Sequence, residues 1–213
     1  MARPSRAREK RAELVTAARR AVLERGILDL RLRDVAEVAG MSAGSVLYYF
    51  PSMADLLQEV QREAVDRFCA AREAAAAREP DLRRRLVITI GSGLPAGPRD
   101  ELCVLLYELG AYARRDPAYA AQHIRLYERQ VALYAAILEA GSATGVFTLT
   151  RDAMTIARNL VALEDGLGLH LVDAVQPFDT ATARHLLLSY ATDTTQCALP
   201  APPASPPGPC VDR

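Results

Sequence analysis

Residues 31–50, with the sequence RLRDVAEVAGMSAGSVLYYF, form the stretch of the chain that decides the fold. Its apolar residues and turn signals predict two short helices joined by a tight turn. Gly40 supplies the permissive backbone that a sharp turn requires, and the hydroxyl of Ser42 can cap the second helix. Val46 and Tyr49 are three residues apart, so they share one face of that helix, which we expect to pack inward.

The opposite face of the second helix carries small or hydroxylated side chains. Such a face can lie close to base edges and phosphates in a DNA groove. We expect the leading residues to lie nearest the bases and the two tyrosines to contact phosphates or a thymine methyl group. The predicted contacts are Ser42, Ala43, Gly44, Ser45, Tyr48 and Tyr49. An ordinary buried helical hairpin also needs a glycine turn and an apolar stripe, so the motif alone leaves that alternative open.

The N-terminal part of the chain is basic. Residues 1–50 contain ten Lys and Arg against six Asp and Glu, a net charge of +4, whereas the whole chain is formally neutral. A polyanion attracts such a region, with an affinity that falls as salt rises. We expect residues 1–11 to form a basic arm that crosses the DNA backbone or enters the minor groove, and phosphate contacts at the start of the first short helix. These basic contacts are Arg6, Arg8, Lys10, Arg31 and Arg33.

The order and spacing of residues 12–60 resemble the TetR family of bacterial transcriptional regulators, through LRLRDVAEVAGMS, GSVLYYF and PSMADLL. The resemblance implies an all-α fold of about nine helices, with an N-terminal three-helix helix-turn-helix domain and a C-terminal ligand-binding and dimerisation domain. ARNLVALEDGLGLHLV, residues 157–172, resembles the BetI-type branch. The family usually has an aromatic residue in place of Leu47 and a lysine in place of Met53, so we expect an altered DNA footprint or salt dependence.

Helical periodicity predicts the remaining elements and a division into three parts. Residues 1–50 would bind DNA, residues 51–197 would form the regulatory domain with the fourth helix as hinge, and the proline-rich residues 198–213 would be disordered. The run AREAAAARE, residues 71–79, suits a spacer between domains, and GSGLPAGP, residues 91–98, predicts a loop. The helices are expected at about 9–25, 52–78, 81–90, 99–115, 117–140, 151–172 and 180–195, besides the two of the motif.

The last two predicted helices carry broad apolar stripes, which we interpret as a dimer interface. The TetR resemblance implies that these helices pair with their copies in a four-helix bundle, and a two-fold dimer suits a palindromic DNA operator. An intramolecular core would give the same pattern, so the sequence does not separate the two. The candidate residues are Leu160, Leu163, Leu167, Leu171, Leu186, Leu187 and Tyr190.

The TetR resemblance also implies a small-molecule pocket within the fourth to eighth helices, and most often a repressor that its ligand releases. Tyrosines together with acids can hold an organic cation through ring faces and charge. The candidates are Glu108, Tyr112, His123, Tyr127, Tyr134 and Glu164. These side chains could equally be packing residues, and a DNA-binding protein controlled by a partner or by no ligand is the alternative function.

Composition narrows the class of protein further. Half of the 213 residues are hydrophobic, enough for a substantial core, but no run of about 18 apolar residues predicts a membrane span, and we expect a cytoplasmic protein. The four cysteines and three histidines are scattered, without metal-ligand or disulfide spacing, although a redox-sensing cysteine stays open. No GxSxG, HExxH or phosphate-loop motif occurs. We therefore predict a regulator without cofactor, metal or catalytic site.

Overall fold

The structure, a computed structural model, describes residues 3–114 and 116–201, with side chains from residue 6 onward. All regular structure in this part of the chain is helical, which confirms the all-α prediction. The helices are α1 (Arg3–Arg25), α2 (Leu32–Val38), α3 (Ala43–Tyr49), α4 (Met53–Arg78), α5 (Leu82–Gly93), α6 (Glu101–Gly110) with a 3-10 turn (Ala111–Arg114), α7 (Pro117–Ala143), α8 (Ala153–Val172) and α9 (Thr180–Thr195).

The described chain divides into two compact units. The first comprises the residues up to 70 together with 96–129, and the second comprises 71–95 together with the residues from 130 on. The functional division at residues 50 and 197 is of another kind and stays a prediction. Residues 198–201 form neither helix nor strand, and residues 202–213 of the predicted disordered tail lie outside the described residues.

Each unit has its own apolar core, built from the helical stripes of the sequence. In the first unit, the buried faces of α1, α2 and α3 meet through Leu14, Ala18, Val22, Val35 and Val46. In the second unit, α5, α7, α8 and α9 contribute Leu86, Ile90, Leu138, Ile156 and Leu187. These side chains recur at three- and four-residue spacings, so one face of each helix is removed from water.

Aspartates define where several helices begin. Asp81, Asp100, Asp152 and Asp179 precede α5, α6, α8 and α9, and each carboxylate accepts a backbone N–H of the first turn. A capping carboxylate satisfies donors that have no partner within the helix. These caps explain why the predicted starts of α8 and α9 lie close to the observed ones.

Four predicted helix boundaries are wrong, one of them the end of α6, which was expected at residue 115 and lies at Gly110, before the 3-10 turn. α1 begins at Arg3 instead of residue 9, because the run RAREKRAE is rich in strong helix formers. α5 continues through two glycines to Gly93, where an added Cβ would lie 1.9 Å from Glu164 Oε1. α7 continues past Gly141, where an added Cβ would lie 2.0 Å from the Phe147 ring. These two glycines therefore permit close packing and do not end their helices.

Candidate nucleic-acid interface

The turn between α2 and α3 has the geometry that the sequence predicts. Gly40 adopts a φ of +63°, and the N–H of Met41 donates to the carbonyl of Ala36 at 2.9 Å. Ser42 caps α3, because its Oγ accepts the N–H of Ser45 at 3.1 Å. The turn and the cap together fix the angle at which α3 leaves α2.

α3 packs through one face and presents the other to solvent. Val46 is fully buried and Tyr49 is half-buried. The outer face is formed by Ser42, Gly44, Ser45, Leu47 and Tyr48, all exposed, with Ala43 at its edge. Tyr48 is 83% exposed, and its ring stands at right angles to the ring of Tyr49, 5.1 Å between centroids. This seven-residue helix thus offers small and hydroxylated side chains at its start and the larger Leu47 and Tyr48 towards its end.

A buried carboxylate ties α2 to α1. Asp34 accepts Arg25 Nη1 at 2.7 Å and the backbone N–H of Arg31 at 2.8 Å, and Arg25 also reaches Glu37 at 3.2 Å. The side chains of Arg31 and Arg33 remain exposed at the N-terminus of α2. That end of a helix favours negative charge, as in a phosphate.

The first turns of α1 lie beside the end of α3. Arg6 and Lys10, one helical turn apart, line a groove of about 830 Å³ together with Tyr48 and Tyr49, and Glu9 and Glu13 also line it. Lys10 pairs with Glu13. Arg6, Arg8 and Lys10 all lie in α1, so the helix begins within the predicted basic arm, and the contacts of these three residues with DNA stay a prediction.

The sequence analysis missed Arg11, which fastens α1 to the end of α3. Its guanidinium donates to the Tyr49 carbonyl and lies 4.1 Å from the centroid of the Phe50 ring. Arg11 looked like one more charge in a basic segment. The spacing of Arg11 could have indicated this role, because Arg11 precedes the buried Leu14 by one turn and lies on the same face of α1.

The predicted ligand residues fall into both units. In the first unit, Glu108 and Tyr112 are half-buried, and His123 and Tyr127 are exposed. The Tyr112 ring lies 5.7 Å from the ring of the buried Tyr119. Tyr134 and Glu164 belong to the second unit, where the structure brings them together: the Tyr134 hydroxyl donates to Glu164.

Arg72 joins Tyr134 and Glu164 in a buried polar cluster that the sequence analysis missed. Its Nη2 donates to both Glu164 oxygens, at 2.9 and 3.0 Å, and to the carbonyl of Thr89 at 3.1 Å. Its Nη1 donates to Gln130 Oε1 at 2.5 Å. Burial raises the pKa of Glu164 to about 7, while the charge of Arg72 acts in the opposite direction. Burial also raises the pKa of the Tyr134 hydroxyl.

The predicted dimer residues divide by exposure. Leu160, Leu171 and Leu187 are buried in the core of the second unit, so they cannot contact a second copy directly, and that part of the prediction is corrected. Their stripes face the core because α8 packs against α9. Leu163, Leu167 and Tyr190 are half-buried and Leu186 is exposed. Met154 and Leu169 are further exposed apolar residues on α8, which the sequence analysis did not select.

The described residues contain neither a cluster of metal-ligand side chains nor a helix that could span a membrane. No group of three His, Cys, Asp or Glu side chains in that part of the chain is arranged to hold a metal ion. No helix there is long and apolar enough to cross a membrane.

Family models match both parts of the chain. Residues 14–60 match the bacterial regulatory proteins of the tetR family, and residues 82–196 match the C-terminal domain of the BetI-type transcriptional repressors. The transcriptional regulator BetI of Burkholderia thailandensis is 30% identical over 85% of this chain and 91% of its own length. The regulator TtgR of Pseudomonas putida is 40% identical over 52 residues, which span only 25% of its length.

Solved structures show the same fold. A TetR regulator from Haloarcula marismortui has a TM-score of 0.79 at 26% identity, covering 87% of this chain and 98% of that one. A regulator from Saccharomonospora viridis, solved in complex with choline, has a TM-score of 0.79 at 27% identity, covering 85% and 95%. The same family is indicated by the two family matches, by the BetI relative that is matched over most of its length, and by the helix-turn-helix geometry. The chain belongs to the TetR family of bacterial transcriptional regulators, and its C-terminal part is of the BetI type.

Proposed function

We propose that this regulator is a homodimeric repressor that binds a palindromic operator through α3 and leaves it when a small molecule binds. The observation that carries the proposal is the outer face of α3, which is capped by Ser42, free of bulky side chains along Gly44 and Ser45, and flanked by the exposed Tyr48. Such a face can enter a major groove with its first residues at the bases.

Basic side chains beside α3 and at the start of α2 support the same assignment. Arg6 and Lys10 line the groove that Tyr48 also lines, and Arg31 and Arg33 are exposed at the start of α2. We assign these residues to phosphates, which set the position of the protein on DNA but do not read its sequence. Ser42, Ala43, Gly44 and Ser45 then remain for base edges.

Two exposed leucines support dimerisation through α8 and α9. Leu169 on α8 is 42% exposed and Leu186 on α9 is 46% exposed. A contiguous exposed apolar patch marks an interaction site, and we assign both leucines to such a patch. A two-fold dimer places its recognition helices one helical turn of DNA apart, about 34–36 Å, or a multiple of that spacing.

An organic cation is the class of effector that we propose. The relative from Saccharomonospora viridis, solved with choline, a quaternary ammonium ion, supports this class, and aromatic rings with acids bind such ions. The Glu164 carboxylate is already bonded to Arg72, and the buried Tyr134 hydroxyl is bonded to Glu164. The candidates that remain for the effector are therefore Glu108, Tyr112, His123 and Tyr127, all in the first unit.

A mobility-shift assay with the DNA upstream of the protein's own gene, at two salt concentrations, tests the proposal. We expect saturable binding to one palindromic segment, weaker at higher salt. Tyr48→Ala should weaken it by at least about 1 kcal/mol, the low end for a direct contact. Ile124→Ala, which also truncates an exposed side chain of the first unit, should leave the affinity unchanged. Absence of binding to any DNA at low salt would contradict the assignment.

The effector is tested separately by thermal unfolding with and without choline. A ligand at 100 times its dissociation constant adds roughly 2.7 kcal/mol to the stability of the folded state. A shift in the midpoint together with release of the operator supports the proposed effector class. An operator-binding protein that responds neither to choline nor to other organic cations would be the ligand-independent alternative.

A further inference from the structure

The buried cluster around Arg72 has the composition of a binding site for a planar cation. Both oxygens of the Glu164 carboxylate and the Thr89 carbonyl accept from Nη2 of the guanidinium, and the Gln130 side chain accepts from Nη1. The Tyr134 ring centroid lies 5.6 Å from the guanidinium carbon, within the range of a cation–π contact. One acid, one aromatic ring and two neutral oxygens thus surround a single positive group.

The cluster is closed. The side chains of Arg72 and Glu164 are 2% and 1% exposed. Gly93 leaves space for the Glu164 carboxylate, since an added Cβ would lie 1.9 Å from Oε1. The cation site is therefore full, and its occupant is part of the chain.

A buried ion pair adds little net stability to a fold. The desolvation of the two charges can exceed their attraction, and apolar replacements are often neutral or stabilising. A buried pair does specify one arrangement of the elements that carry it. Here the guanidinium joins the last turns of α4 to α5, α7 and α8, through Thr89, Gln130 and Glu164.

We propose that Glu164, Tyr134, Gln130 and the Thr89 carbonyl form a guanidinium-binding site that the chain fills with its own Arg72. This internal occupant fixes the end of α4, the helix that continues from the first unit into the second, and thereby holds the operator-binding form. A tethered group has an effective concentration of millimolar or higher, so a free cation cannot compete for the site in the wild-type protein. Replacing Arg72 by a shorter residue removes the guanidinium from the site, which a free guanidinium ion can then occupy. The part of the proposal that concerns the operator depends on the proposed function, whereas the site itself does not.

Chemical rescue of Arg72→Ala by methylguanidinium tests the site. The variant loses stability, because it leaves the Glu164 carboxylate buried without its partner. Millimolar methylguanidinium should raise its unfolding midpoint by at least about 2 °C and leave the midpoint of the wild type unchanged. In Arg72→Ala/Glu164→Gln the acid is absent, so the rise should disappear. Tetramethylammonium, which has no N–H donors, should rescue Arg72→Ala less than methylguanidinium does.

Any of three results with methylguanidinium would contradict the proposed site. The unfolding midpoint of Arg72→Ala does not rise, the midpoint of the double variant rises equally, or the midpoint of the wild type rises equally. If Arg72→Ala does not fold alone, recovery of helical circular dichroism on addition of methylguanidinium replaces the midpoint, and no recovery contradicts the proposal.

Measurements of operator affinity test whether Arg72 holds the operator-binding form. Arg72→Ala should bind the operator at least about 5-fold more weakly, the low end of allosteric coupling, and methylguanidinium should restore the affinity. A folded Arg72→Ala protein with wild-type affinity would refute the role of Arg72 in the operator-binding form. If the wild type binds no DNA but Arg72→Ala is still rescued thermally, the proposed function fails and the cation site stands.

Discussion

Replacing Glu164 by glutamine should change how the stability of the protein depends on pH. Burial raises the pKa of this carboxyl from 4.5 to about 7 in the folded state, against the lowering effect of Arg72. The folded protein therefore retains the proton to a higher pH than the unfolded chain does. This stabilisation is complete below pH 4.5 and is lost as the pH rises through about 7.

The size of the effect follows from the two pKa values. A rise from 4.5 to about 7 corresponds to about 3 kcal/mol in the free energy of unfolding, at about 1.4 kcal/mol for each pH unit. Urea unfolding between pH 4.5 and 8 measures it, and Glu164→Gln should remove a decline of this order from the wild-type profile. Glu139→Gln, the same substitution at an exposed position of α7, serves as the control. Superimposable pH profiles for wild type and Glu164→Gln would refute the reasoning.

Three further substitutions test the packing and the interfaces. Gly93→Ala should destabilise the protein by at least about 1 kcal/mol, because its Cβ would lie 1.9 Å from a Glu164 oxygen, whereas Gly91→Ala, into open space, should be neutral or stabilising in urea titrations. Asp34→Ala should lower both the unfolding midpoint and the operator affinity, and Asp34→Asn, which keeps an acceptor for the backbone N–H, should lower both less; equal losses would mean that the bond to the backbone N–H contributes nothing beyond the charge. Leu186→Arg should yield monomers by light scattering, unlike Ile124→Arg, and a dimer of unchanged stability would remove α9 from the interface.

Local signals allowed much of the fold to be predicted from the sequence. The bounds of α9 match the prediction at both ends, because Asp179 caps the helix and the left-handed Gln196 follows its last residue. The turn before α3 could be predicted equally well, because Gly40 and Ser42 each interact only with residues close to them in the chain. Both features depend on the conformational preferences of neighbouring residues, which a single sequence contains.

Interactions between distant residues explain what the sequence did not predict. Gly93 and Gly141 suggested helix ends, but both are helical and leave room for a packed side chain, the distant Glu164 at Gly93 and Phe147, six residues away, at Gly141. Arg72 lies in an alanine-rich run typical of an exposed spacer, and its partners are 17 to 92 residues away along the chain. Its spacing of four residues from Phe68 and from Ala76 was the one available signal, because those two residues are apolar.

The helical start of α1 has a consequence for the thermodynamics of DNA recognition. An extended arm that becomes ordered in a groove loses backbone entropy on binding, about 1–2 kcal/mol for each residue fixed. Residues 6–10 are already helical in the free protein, so this loss occurs when the protein folds and not when it meets the operator. Calorimetry of operator binding should accordingly lack the large negative heat-capacity change of coupled folding, and these five residues should contribute charge to the complex at little entropic cost.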